Sequence, residues 1–217
     1  MSASLEAATN AASLIIDHQI SENNGDHTAI RFRDKRYSYH DLAALMNRAG
    51  NMMRRLGVNA GDSVLVAVAP SPSLIAGLLG AMKIGAVPVL LPGGIDAPVL
   101  EAVVSRHKPK LLIAEAGQLG EIHKMAPDAT LVVVGEVGPG QRSFVQEMRE
   151  SASSLSKSSI AKGAAALGVL QADEVVFVPH QELADTRSGT APAIQFGGWD
   201  LGAALARFAR GEEEVIG

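Results

Sequence analysis

The chain has 217 residues, 47% of them apolar, with a formal net charge of −4 and no cysteine. A chain of this length suits one α/β domain, or one domain with an appendage, and it buries roughly 70% of its unfolded surface. The charge argues against a nucleic-acid-binding surface, and the lack of thiols excludes disulfides, thiolate zinc sites and a cysteine nucleophile.

The opening stretch MSASLEAATNAASLII has no basic segment ahead of its apolar residues, so no secretory signal is read there. A cysteine-free chain without such a signal fits a cytoplasmic protein. Residues 5–20 are expected to form a helix with Leu5, Ala8, Ala12, Leu14 and Ile15 partly on one face. Ala29 to Phe32 and Arg36 to Tyr39 read as the arms of a hairpin turning at Asp34 and Lys35, with Arg31, Arg33, Lys35 and Arg36 in solvent. Leu42, Leu45, Met46, Ala49, Met52, Met53 and Leu56 recur at spacings of three and four, which predicts an amphipathic helix. Ser38 and Asp41 form its capping box, Gly57 stops it, and its methionines are core packing.

From residue 64 strand-like and helical runs alternate. VLVAVA (64–69), VPVLL (87–91), LLIA (111–114) and LVVV (131–134) are strands. Between them lie helices over Leu74 to Ile84, from Asp96 to about His107, and over 117–125. Apolar runs without polar alternation belong to strands covered on both faces. Their alternation with helices implies a parallel, doubly wound sheet with right-handed crossovers. The apolar stretch Val64 to Leu91 is broken by Pro70, Pro72, Lys83 and Pro88, so it reads as strand, helix, strand and not as a membrane span. Val66, Leu79, Val89, Val104 and Ile113 are the expected core.

The pattern weakens after Val134. GEVGPGQ is a loop, Phe144 to Arg149 makes one or two helical turns, and VVFV (175–178) is a further strand. The serine-rich stretch 151–159 is the best linker, dividing an α/β region (1–150) from an irregular C-terminal extension (151–217). The extension ends in a helix near Asp200 to Arg210, with Leu201, Leu205 and Phe208 on one face.

The segment from Thr28 to Leu91 carries a recognisable order. A hairpin ends in Tyr37-Ser38-Tyr39-His40-Asp41-Leu42, and an amphipathic helix leads to Leu56-Gly57-Val58. Gly61-Asp62-Ser63-Val64-Leu65-Val66 follows, then Pro72 before a helix, then Gly80 to Val89. Over roughly residues 10–135 this order resembles the N-terminal region of the adenylate-forming superfamily: acyl- and aryl-CoA ligases, luciferases and peptide-synthetase adenylation domains. The acyl- and aryl-CoA ligases are nearest. The resemblance implies an α/β fold, a doubly wound mostly parallel sheet with flanking helices, as a partial N-terminal domain of such a ligase. It also implies the activation of a carboxylic acid by ATP to an acyl-adenylate and then a thioester. ATP, magnesium and CoA are implied only for a complete family member.

In that family a Ser/Thr/Gly-rich loop ending in Pro-Lys holds the ATP phosphates. Residues 184–202 stand where it would approach, with Ala193 to Phe196 as the entering strand, yet Gly197 to Gly202 carries neither a hydroxyl cluster nor Pro-Lys. Pro109-Lys110 precedes a strand and has no glycine-rich loop before it. Gly93-Gly94 lies at a strand's C-terminal end, where open α/β sheets place ligands, but reads equally as a plain turn. GEVGPG (135–140) does not have the glycine spacing of a dinucleotide loop. His107 and His123 suit helix ends, and His180, after a strand and Pro179, is the most interesting of the six histidines. Trp199 could stack on a ring or anchor the terminal helix. No catalytic, cofactor-binding or metal-ligating residue is assigned.

Three readings stay open: a fragment of a longer ligase, one half of a split enzyme, or a module that kept the scaffold and lost the chemistry to bind a partner or small ligand. A coherent helix over 200–210, and an end without tag-like sequence, favour a real terminus. Isolated, the chain is expected to lack covering layers and so to form a homo-oligomer or dock onto a chain that supplies the rest of the ligase. Neither nucleic acid nor a membrane is an expected partner.

Overall fold

The computed structural model describes residues 9–118, 123–188 and 191–216. A π-helical turn (Ser13–Asp17) runs into helix α1 (His18–Ser21). Ala11, Ala12, Ile15 and Ile16 form its buried side, while Leu5 and Ala8 of the expected helix lie outside the described residues. Strands β1 (Thr28–Phe32) and β2 (Lys35–Ser38) make the expected antiparallel hairpin. Helix α2 (Tyr39–Arg55) starts at the expected capping box. The Ser38 hydroxyl accepts from Asp41 N at 3.1 Å and the Asp41 carboxylate accepts from Ser38 N at 2.9 Å. Met46, Met52 and Met53 are fully buried.

The alternating region then unfolds in order: β3 (Ser63–Ala67), α3 (Pro72–Lys83), β4 (Val87–Leu90), α4 (Ala97–His107), β5 (Leu111–Glu115) and β6 (Thr130–Val134). A short β7 (Arg142–Ser143) leads into α5 (Phe144–Arg149). Strands β8 (Ala165–Gln171) and β9 (Glu174–Pro179) precede α6 (His180–Ala184). A hairpin of β10 (Gln195–Phe196) and β11 (Trp199–Asp200) precedes α7 (Leu201–Arg210) and β12 (Glu214–Ile216). Of the expected helix over 117–125, residues 119–122 lie outside the described residues.

The main sheet has seven strands in the order β7-β6-β5-β3-β4-β8-β9, all neighbours parallel except β8 and β9. A side sheet, β12-β1-β2, sets β12 parallel to β1. The unbroken apolar runs are explained by side chains dividing between two cores. Val64, Val66, Leu111 and Ile113 join the larger core, with residues of α2, α3 and α7. Leu65, Ala67, Val89, Leu112 and Ala114 join the smaller one beneath Leu100 and Val103 of α4. Val66, Leu79, Val89 and Ile113 are buried as expected. Val104 is only half-buried, because it sits at the margin of α4 against the smaller core. No helix among the described residues is long and apolar enough to cross a membrane.

The stretch 151–159 corrects the linker expectation. It runs against the polar side of α2, whose side chains hold its carbonyls. Asn47 Nδ2 donates to Ser153 O, and Asn51 Nδ2 donates to Ala152 O and Ser154 O, all at 2.8 Å. Arg48 Nη1 donates to Ser151 O at 2.8 Å. Across the division expected at residue 150, β8 and β9 belong to the same sheet as β3 to β6. The terminal helix is present, and Leu201, Leu205 and Phe208 are fully buried in the larger core.

Two substitutions test this packing. Ile113→Ala should lower the unfolding free energy by about 2–5 kcal/mol in urea titrations, as expected for a truncation in a packed centre. Gly80→Ala would set a Cβ 2.8 Å from both Ala49 Cβ and Gly50 N. Forcing α2 and α3 apart should cost about 1–3 kcal/mol; unchanged stability would contradict the close approach.

Candidate functional site

Open α/β sheets bind ligands outside the C-terminal ends of their strands, where helices leave to opposite faces. Here that point is β3 beside β5, since the chain steps one way from β3 to β4 and the other way from β5 to β6. Glu115, ending β5, accepts from Ala69 N through Oε1 at 3.0 Å and ties two strand ends together. Gly93 and Gly94 lie in the exposed connection after β4. GEVGPG follows β6 as an exposed loop, closed by Gly138 N donating to Gln141 Oε1 at 2.7 Å. Strand β8 turns back through Ala172 and Asp173 alone, with Ala172 at φ 51°.

The connections 68–71, 91–96, 135–141 and 172–173 contain no lysine or arginine. Asp96, Glu115, Glu136, Asp173 and Glu174 lie along this edge instead. An edge lined with one sign of charge repels a polyphosphate rather than concentrating it.

The segment expected to lead into a phosphate loop folds otherwise. Only Gln195 and Phe196 are extended, and they pair with Trp199 and Asp200 outside the main sheet. Gly197 and Gly198 both have positive φ, 56° and 78°, as a tight hairpin with primed turn geometry demands. Asp200 then caps α7, its Oδ1 accepting from Ala203 N at 2.9 Å. Trp199 is an anchor: its Nε1 donates to the buried Glu214 carboxylate at 3.0 Å, and Arg207 Nη1 meets the other oxygen at 2.5 Å. Pro109-Lys110 lies ahead of β5 at the opposite edge, where it lines a cavity of about 390 Å³ with Val104 and Met125.

His180 opens α6 and is buried. Its Nδ1 accepts from Ala11 N at 3.1 Å, so the ring is neutral with its proton on Nε2, and burial lowers its pKa to about 4. The residue pins the N-terminal segment to the sheet. His107 ends α4 with its ring edge-on to Phe177, centroids 5.5 Å apart, and burial, then Arg106, hold its pKa down. His123 is exposed. Among the described residues no group of three His, Asp or Glu side chains is placed to hold a metal ion. The structure therefore brings none of the sequence candidates together. Sequence reasoning missed Lys83 as a partner: it is buried, and its Nζ donates to Asp17 Oδ1 at 2.8 Å and Asn47 Oδ1 at 2.7 Å.

These features define a doubly wound α/β scaffold with a side sheet, its ligand edge the C-terminal ends of β3 to β6. A family model described as AMP-binding enzyme matches residues 16–184. The chain belongs to the AMP-binding enzyme family. It is 37% identical to the 3-hydroxybenzoate–CoA ligase of Aromatoleum sp. (strain CIB) over 109 residues, 50% of this chain and 21% of that protein. It is 30% identical to the acetyl-coenzyme A synthetase of Mycobacterium bovis over 115 residues, 50% of this chain and 18% of that protein. The crystal structure of an anthranilate CoA ligase in complex with anthranoyl-AMP superposes with a TM-score of 0.84 at 18% identity, covering 100% of this chain and 46% of that one. An acyl-CoA synthetase from Brucella canis gives 0.81, also at 18% identity, over 95% of this chain and 42% of that one. The match thus spans about a fifth of the curated relatives' length and under half of the solved ligases'.

The His180 bond predicts a pH dependence. Its folded-state pKa, about 4, lies below the ordinary 6.5, so the unfolded chain takes up the proton first. Its stabilisation, on the order of 3 kcal/mol, is complete above pH 6.5 and is lost as pH falls toward 4. Urea unfolding at pH 7 and at pH 4.5 should show this loss, and His180→Gln should shrink it.

Proposed function

We propose that these residues are scaffold for an adenylate-forming acyl- or aryl-CoA ligase and do not by themselves form an acyl-adenylate. In a complete ligase of this kind a carboxylic acid attacks ATP, pyrophosphate leaves, and the acyl group passes to coenzyme A. The observation that carries the reading is the ligand edge of the sheet. The connections after β3, β4, β6 and β8 hold no lysine or arginine, Asp96, Glu136 and Asp173 lie in them, and β8 returns through two residues with no room to wrap a triphosphate. Phosphoryl transfer depends on donors and positive charge aimed at the transferring group, and a second chain or segment would have to bring them to this edge. Aryl acids are the favoured substrate class, because the relatives include ligases named for 3-hydroxybenzoate. No residue of the chain is assigned to ATP, magnesium or CoA.

A second reading, a non-catalytic interaction module, is favoured by α7. The expectation of self-association rests on an uncovered apolar side, and Leu201, Leu205 and Phe208 cover that side from within the chain. Exposed large apolar residues among those described are scattered: Val137, Val145, Val176, Phe177 and Val215.

Acid-dependent exchange of pyrophosphate into ATP separates the proposal from its opposite. The 217-residue chain, cleared of contaminants, should give no exchange with benzoate, 3-hydroxybenzoate or acetate. Exchange above background with any of them would overturn the claim. Activity that appears only on adding a chain with a phosphate loop would favour the scaffold over the non-catalytic module.

A further inference from the structure

We propose that the cavity at the N-terminal edge of the main sheet binds a small phosphate-bearing anion. The cavity, about 350 Å³, is lined by Asp62 and Ser63 at the start of β3, by Val87, by Arg106, His107 and Lys108 at the end of α4, and by Ala165 and Phe177. Its size lies within the range of small-ligand pockets.

Two independent observations converge there. Ser63 Oγ is the one buried side-chain polar atom among the described residues that has no hydrogen-bond partner. An orphaned buried hydroxyl is destabilising, so its retention points to a partner that arrives from outside the chain. Arg106 and Lys108 open onto the same cavity as exposed cations, and neither has an ion-pair partner among the described residues. The cavity's one carboxylate, Asp62, is already engaged by Asn59 N at 2.8 Å.

Against that one carboxylate stand a hydroxyl, a guanidinium and an ammonium, a net positive lining. A phosphoryl group matches it, with several acceptor oxygens and up to two negative charges in a small volume. The edge-on pair of His107 and Phe177, with Val87 and Ala165, gives an apolar wall for a small organic or aromatic group carrying the phosphate. The site opens at the basic edge of the sheet, so it does not depend on the scaffold reading given for the other edge.

Calorimetric titration of the full chain with phenyl phosphate at low ionic strength tests the assignment. Saturable binding is expected, weakened by about tenfold or more in the double variant Arg106→Gln/Lys108→Gln. Both residues are exposed, so that variant leaves the core intact. Ser63→Ala should weaken binding several-fold while melting no lower than the parent, since it removes an unsatisfied hydroxyl. Lys35→Gln, on the distant β1–β2 hairpin, should bind like the parent. No saturation at millimolar phenyl phosphate, or full binding by the double variant, would overturn the proposal. Equal binding of benzoate would overturn the phosphoryl assignment.

Discussion

Backbone-to-backbone contact between α2 and α3 sets the geometry on which the larger core rests. At Gly80 the two helices meet so closely that a single Cβ would collide with Ala49 and Gly50. This approach seats α2 on α3, which in turn packs on β3, β4 and β8. It also places the C-terminal end of α3 within reach of other elements. Buried Lys83 finds Asp17 from the π-helical turn and Asn47 from α2, and Asn10 Nδ2 donates to the carbonyls of Met82 and Lys83 at 3.2 and 3.0 Å, which also accept from Gly85 N and Ser158 N. A buried ammonium without such partners would be strongly unfavourable. The N-terminal segment is thus held by polar groups at the C-terminal end of α3, with His180 as a further pin.

The main sheet separates charge along its strands. Acidic residues gather where β4, β5, β6 and β8 end, and cations gather where α4 returns to the start of β5. Helix geometry accounts for part of this, since Arg106, His107 and Lys108 complement the negative C-terminal end of α4. Family membership and the fold describe a scaffold that elsewhere carries acid activation, while the local electrostatics of its ligand edge run against polyphosphate. Fold and site chemistry are separate properties of one chain, and here they diverge.

The sequence was most legible where structure is decided locally. Unbroken apolar runs identified β3 to β6 because both their faces are covered, and the spacing from Leu42 to Leu56 identified α2 with its capping box. The resemblance extended the reading to the doubly wound sheet. What escaped depends on distant partners. The stretch 151–159 looked like a linker because its bonds come from side chains about a hundred positions earlier. Lys83 looked like an interruption because its two partners lie on other elements. The hairpin at 195–200 is short, and its glycines mark a turn that could not be told from a ligand loop without its partner strand. The cavity around Ser63 joins residues from five separate parts of the chain, so no motif announces it.

The clamp between α2 and residues 147–158 has an evolutionary corollary. Asn47, Arg48 and Asn51 bind main-chain oxygens, and every amino acid carries one. The path of 152–154, whose side chains are exposed, is therefore encoded in α2 and not in its own side chains. Drift at 152–154 should be nearly neutral, while drift at the three clamping positions should not. A stretch of low information content can in this way follow a fully determined course, its specificity stored elsewhere in the chain.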